Sequence, residues 1–130
     1  MINMTMRLML VSMLMVFAAP AYSGTAVHVF RCELSGEASE NQIETQASKW
    51  LAAARTMKGG EEFKAFILFP VAAQASNTDF MFMIVAPSLA SVGAFWDGYT
   101  DDSPAAQLDD VNPGFANCPN SALWEGVKVE

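Results

Sequence analysis

Few residues in this chain have the chemistry to act on anything. His28 is the only histidine, and it could serve as a general base or as a polar handle in an apolar cleft. The commoner fate of a lone strand histidine is a satisfied or half-exposed side chain. Phe95-Trp96-Asp97-Gly98-Tyr99, together with Trp50 and Trp124, is the aromatic-rich part of the sequence. Small-molecule pockets are mostly apolar with a few polar groups, and His28, Arg31, Trp96 and Tyr99 suit that role. The competing reading makes Trp50 and Phe95 core and the other rings half-buried packing.

The remaining polar clusters point away from catalysis. Asp97, Asp101, Asp102, Asp109 and Asp110 form an acidic stretch with no Lys or Arg between them. Their spacing does not fit a calcium-binding EF-hand and no glutamate closes such a loop, so they read as a solvated face. One histidine and one cysteine pair leave zinc or copper without a ligand set. There is no GxSxG, no Walker loop and no Rossmann glycine pattern. No metal and no cofactor is expected.

The first two dozen residues read as an address. Arg7 and the amino terminus give a weakly positive start, and Leu8 to Ala19 is apolar apart from Ser12. That run matches a signal h-region and is too short to span a bilayer. Pro20 then breaks any helix; Ala19-Pro20-Ala21 permits cleavage before Tyr22 and Ala21-Tyr22-Ser23 before Gly24, the second being preferred. Residues 1–23 are therefore read as a signal peptide and 24–130 as one domain, periplasmic or secreted, with no membrane attachment after cleavage. Six of the nine Met residues fall in the leader, leaving Met57, Met81 and Met83. The full chain carries 7 Lys and Arg against 14 Asp and Glu, a net charge of −7, and losing Arg7 makes the balance more acidic. Such a domain is repelled by phosphate backbones and anionic lipid, which excludes nucleic-acid binding.

An even pair of cysteines in an exported chain reads as a disulfide, so Cys32 and Cys118 are expected to join across 86 residues of sequence. Cys118-Pro119 is no CxxC motif, and a redox-active role is disfavoured.

The elements that must position these residues follow from periodicity. Val27 to Leu34 predicts a strand. Ser39 and Gln42 form a capping-box pattern, and Ile43, Ala47, Trp50, Leu51, Ala54 and Met57 then trace one helix face up to Gly59-Gly60. Phe63 to Val71 and Asp79 to Val85 predict two apolar strands. Pro87-Ser88 opens a second helix through Tyr99, Ser103 to Val111 predicts a short helical stretch, and Leu123 to Val129 a last strand.

The order is β-α-β-β-α-β, the ferredoxin-like arrangement: an α+β fold with a four-stranded antiparallel sheet, strand order 4-1-3-2, and helices on one face. That order makes strands 1 and 4 neighbours, with Cys32 near the end of one and Cys118 just before the start of the other. Phe66 and Leu68 oppose Ala65 and Ile67 in strand 2, and Met81 and Met83 oppose Phe82 and Ile84 in strand 3. Both faces of the sheet are thus apolar. Helices cover one, and a second copy packing sheet to sheet is the economical cover for the other.

Element order, length and the doubly apolar sheet resemble the dimeric α+β barrel superfamily. Its members include antibiotic-biosynthesis-type monooxygenases and stress-responsive A/B barrel proteins. The resemblance covers nearly the whole mature chain and is architectural, so no family active site is transferred to particular residues. It implies a homodimer, and it would allow cofactor-free chemistry on an aromatic substrate. The first functional reading is an exported homodimeric module that binds a small apolar or aromatic ligand, or another protein. The second is a cofactor-free, monooxygenase-like enzyme, and the third a structural or stress-related envelope protein.

Overall fold

A computed structural model of the protein describes residues 24–35, 38–72, 79–111 and 116–130, with the side chains of residues 110 and 111 excepted. The leader expected over 1–23 and the Asn112-Pro113-Gly114 turn lie outside the described residues. Strand β1 (Thr25–Leu34) is followed by helix α1 (Glu40–Ala54), β2 (Lys64–Leu68), β3 (Phe80–Ala86), α2 (Leu89–Asp97), α3 (Pro104–Val111) and β4 (Ala116–Gly126).

Local chemistry starts the helices where the sequence predicts. Ser39 caps α1: its hydroxyl accepts from the Gln42 N–H at 3.3 Å, and the Gln42 side chain accepts from the Ser39 N–H at 2.8 Å. Ser88 caps α2 by accepting from the Ser91 N–H at 3.1 Å. The stop of α1 differs from expectation. The helix ends at Ala54, and Met57, though buried, belongs to the turn that follows. Gly59 explains why this turn has so little freedom. Its φ is +88°, and a Cβ there would stand 2.3 Å from the Ser91 carbonyl oxygen and 2.6 Å from the Phe95 nitrogen. The turn lies directly on the backbone of α2, a contact that only glycine permits.

The sheet order is β2-β3-β1-β4, with every neighbouring pair antiparallel, and the helices lie on one face. This is the expected 4-1-3-2 order counted from the other edge. Ala26, Trp50, Phe63, Ile84, Val92 and Phe95 form the main core between sheet and helices. The last strand needs correction. It runs from Ala116 to Gly126, so it starts well before Leu123, and Val127 to Glu130 lie beyond it. Asn117, Pro119 and Asn120 are poor strand formers and hide the start from a propensity reading. Pairing along β1 imposes the strand, and Pro119 is tolerated because β4 is an edge.

Cys32 and Cys118 form the disulfide, inside the β1–β4 ladder instead of just ahead of it. Arg31 pairs with Asn120 and Glu33 with Asn117, so Cys32 alone opposes Cys118 and Pro119. The extra residue in β4 makes a bulge, and the covalent bond sits at the one place where the ladder loses its regular register.

One row of the outer face of the sheet is apolar across all four strands, and Arg31 and Asn120 interrupt another. Phe66 lies beside Met83, Met83 beside Val29, and Val29 beside Ala122. The next row carries Lys64, Val85, Val27 and Trp124, with Trp124 62% exposed.

Candidate functional site

The other face builds a cavity. Phe30 on β1 and Phe82 on β3 are ladder partners that both project toward the helices, with ring centroids 6.0 Å apart. From α1, Trp50 meets Phe82 edge-on at 5.4 Å. At the end of α2, Trp96 lies 6.3 Å from Phe30, and Tyr99 lies 4.8 Å from Trp96. Trp50, Phe82, Phe30, Trp96 and Tyr99 therefore make one continuous aromatic arc drawn from five positions on four elements and the turn after α2. Ile43 and Ala47 of α1 and Leu108 of α3 face it, and the Cys32–Cys118 bond contributes to the wall. The space they enclose is about 450 Å³ and open to solvent. That falls within the roughly 300–1,000 Å³ typical of small-molecule sites.

The polar groups of the cavity gather at one step of α3. Gln46 Nε2 donates to the Leu108 carbonyl oxygen at 3.1 Å, tying α1 to α3. The Tyr99 hydroxyl donates to Asp109 Oδ2, tying the end of α2 to the same place. Asp109 is the only ionisable carboxylate among the described residues of the lining, and no Lys, Arg or His joins it.

The four candidates from sequence do not converge. Trp96 and Tyr99 line the cavity. His28 stands behind the arc, its ring 4.2 Å from Phe30 and edge-on to Trp96 at 5.5 Å. Its Nδ1 is buried with no hydrogen-bond partner among the described residues. Arg31 is exposed on the opposite face of the sheet, between Met81 and Asn120. Sequence reasoning missed Phe30, Phe82 and Gln46, and it assigned Asp109 to a solvated face. The strand order already placed β1 beside β3. The Phe30–Phe82 partnership needed the register as well, which no turn chemistry in the sequence specifies.

Burial lowers the pKa of His28 below its ordinary 6.5 by desolvating the charged ring. Folding therefore favours the neutral form. Its contribution to stability is complete above about pH 6.5 and is lost as the pH falls through the lowered folded value. Urea midpoints measured from neutrality down to about pH 5 should fall less steeply for His28→Leu than for the parent chain. Parallel curves would remove His28 from the acid sensitivity of the fold.

No protein-family model and no curated protein matches the chain. Among solved structures it is similar to a dimeric ferredoxin-like protein of unknown function from Thermobifida fusca. That match has a TM-score of 0.51 and 16% identity, over 80% of this chain and 92% of the other. It is also similar to a protein of unknown function from Rhodopseudomonas palustris, with a TM-score of 0.51 and 10% identity. There the match covers 82% of this chain and 85% of the other. These likenesses establish the ferredoxin-like fold.

Proposed function

We propose that the protein is an exported homodimeric module whose helix-side cavity binds a small apolar or aromatic molecule. The observation that carries this reading is the arc of five rings around an open space of about 450 Å³, with polar groups gathered at one place. Rings held open to solvent in this way lose little conformational entropy on binding, so stacking a planar ligand on them is favourable. The test is titration of the oxidised protein with 1-naphthalenemethanol, followed by quenching of tryptophan emission, since Trp50 and Trp96 both border the space. Saturable quenching is expected, and Ala47→Trp, which fills the cavity from α1, should weaken it at least about tenfold. Absence of saturation up to the solubility limit would end the ligand-binding reading.

Dimerisation rests on the outer face. One apolar row, Phe66, Met83, Val29 and Ala122, crosses all four strands, and one similar structure is described as dimeric. A second copy packed sheet to sheet would bury Phe66, Met83 and Trp124. Light scattering on a sizing column should give twice the monomer mass, and Met83→Glu, placing a charge mid-sheet, should give the monomer. A monomeric parent chain would overturn the pairing. Export is supported by the leader-like residues 1–23 and is consistent with the disulfide. On this reading the protein works in the periplasm or outside the cell.

A cofactor-free enzyme of the dimeric α+β barrel type is the second reading. The Tyr99–Asp109 pair at the edge of the cavity favours it, because a hydroxyl held by a carboxylate can relay a proton to or from a bound ring. Turnover of a bound aromatic that disappears in Tyr99→Phe, with folding intact, would select this reading over simple binding.

A further inference from the structure

Part of the cavity wall is a covalent bond. Cys32 and Cys118 both line the space, and Ala116 on β4 lines it beside them. Cys32 is fully buried and packs with Ile43 and Phe80, which also line the cavity. Cys118 stands on the edge strand and is exposed. We propose that the cavity is under redox control: it holds its ligand while the Cys32–Cys118 bond is intact and releases it when a small thiol reduces that bond. This regulation acts on the cavity described above and rests on the ligand-binding reading.

The bond is what fixes this part of the wall. Asp79 engages the backbone on either side of Glu33. Its N–H donates to the Cys32 carbonyl oxygen at 3.0 Å, and its Oδ2 accepts from the Leu34 N–H at 2.7 Å. Backbone direction alternates along a strand, so Glu33 faces the other way, toward its ladder partner Asn117. Side-chain burial adds little there, because every residue of β4 from Asn117 on is exposed and Ala116 is half-buried. A strand end with few backbone bonds and little buried apolar surface opens locally far more easily than the rest of a fold. Cutting the bond frees that end, and the wall built from Ala116 and Cys118 goes with it. The main core contains no residue of β4, so the fold persists while the cavity opens.

Reduction proceeds by thiol–disulfide exchange. A thiolate attacks the exposed Cys118 sulfur, the Cys32–Cys118 bond breaks, and Cys32 leaves as a thiolate that takes a proton from water. A second thiolate attacks the small-molecule sulfur of the mixed disulfide. That step gives the small-molecule disulfide and a Cys118 thiolate, which is protonated in turn. Two electrons pass from the two small thiols to the protein. The protein sulfurs then stand at van der Waals separation, which pushes β4 away from β1 at the bulge. Without a CxxC arrangement the bond is not built to turn over, and its role here is that of a tie that is cut. Linkage makes the effect reciprocal: a ligand that prefers the oxidised protein makes the bond harder to reduce by the same factor.

The probe is 1-naphthalenemethanol, titrated by tryptophan quenching against the oxidised protein and against the same protein in excess dithiothreitol. Circular dichroism fixes the folded fraction of the reduced chain, and trimethylamine N-oxide, added to both samples, raises it where needed. The folded reduced protein should bind at least about tenfold more weakly. In mixtures of reduced and oxidised dithiothreitol, saturating alcohol should move the midpoint of the bond about 30 mV more negative for each tenfold preference. Equal affinity in the two states, an unmoved midpoint, or a reduced chain that stays unfolded in the osmolyte would overturn redox control while leaving the ligand cavity in place. Failure of the alcohol to bind the oxidised protein would overturn the cavity reading and redox control together.

Discussion

Reducing the Cys32–Cys118 bond should lower the folding stability of the protein by about 2–5 kcal/mol. The bond closes 86 residues, nearly the whole described chain, and loop-closure entropy alone places the effect toward the upper end of that range, at roughly 4–5 kcal/mol. Against a total of about 5–15 kcal/mol for a domain of this size, that is a large share. The bond also does something local. It fastens β4 to β1 at the bulge, where Pro119 offers no N–H and the ladder is irregular. Urea unfolding of the same chain with and without reductant isolates the effect, and Cys32→Ala with Cys118→Ala should match the reduced parent. An unchanged midpoint on reduction would show that the strand pairing holds without its covalent tie.

The second large effect is expected at Phe95. Its side chain is wholly buried and meets Phe63 at 4.9 Å, Trp96 at 5.0 Å, and Trp50 and Tyr99 at 5.8 Å. Phe95→Ala should cost about 3–5 kcal/mol, near the top of that range, because the site has little means of collapsing. The Gly59 turn is pressed against the backbone of α2 and the sheet lies on the other side, so neither boundary can move in to fill the space. Leu89→Ala on the same helix, at an exposed position, should stay within about 0.5 kcal/mol. Loss of Phe95 should also loosen Trp96 and Tyr99, so affinity for the aromatic ligand proposed above should fall with stability. A cost of under about 1 kcal/mol would mean that the ring cluster repacks around the gap.

The parts of the fold that were legible are those decided by short-range chemistry. Ser39 with Gln42 announces α1, Ser88 announces α2, and the apolar runs of β2 and β3 announce strands that are apolar on both faces. Strand order followed from element order by handedness and nearest-neighbour rules. The start of β4 was not legible, because Asn117, Pro119 and Asn120 argue against a strand and only the partner β1 supplies the reason for one. The cavity was partly legible for the same kind of reason. Trp96 and Tyr99 stand out as rings close together in sequence. Phe30, Phe82 and Trp50 are scattered through it and become one surface only through register and helix placement. Arg31 and His28 differ by three residues, which in a strand puts them on opposite faces. That parity was readable from the start, and it separates two residues that composition alone had grouped together.

Strand β1 has a consequence for the order in which the chain can assemble. It is made first, yet both of its hydrogen-bonding partners come much later: the Leu34 N–H bonds Asp79, 45 residues on, and the disulfide partner of Cys32 is 86 residues on. During synthesis the first strand must therefore wait, with both edges bare, until β3 has emerged, and one edge stays bare until β4 follows. Such long-range closure slows folding relative to a helical domain of equal length. It also means that a nascent chain stopped before Ala116 has no complete sheet to form. Under the export proposed above, a chain that stays unfolded while it is threaded through a narrow passage gains from that delay, since β4 comes last of the four strands.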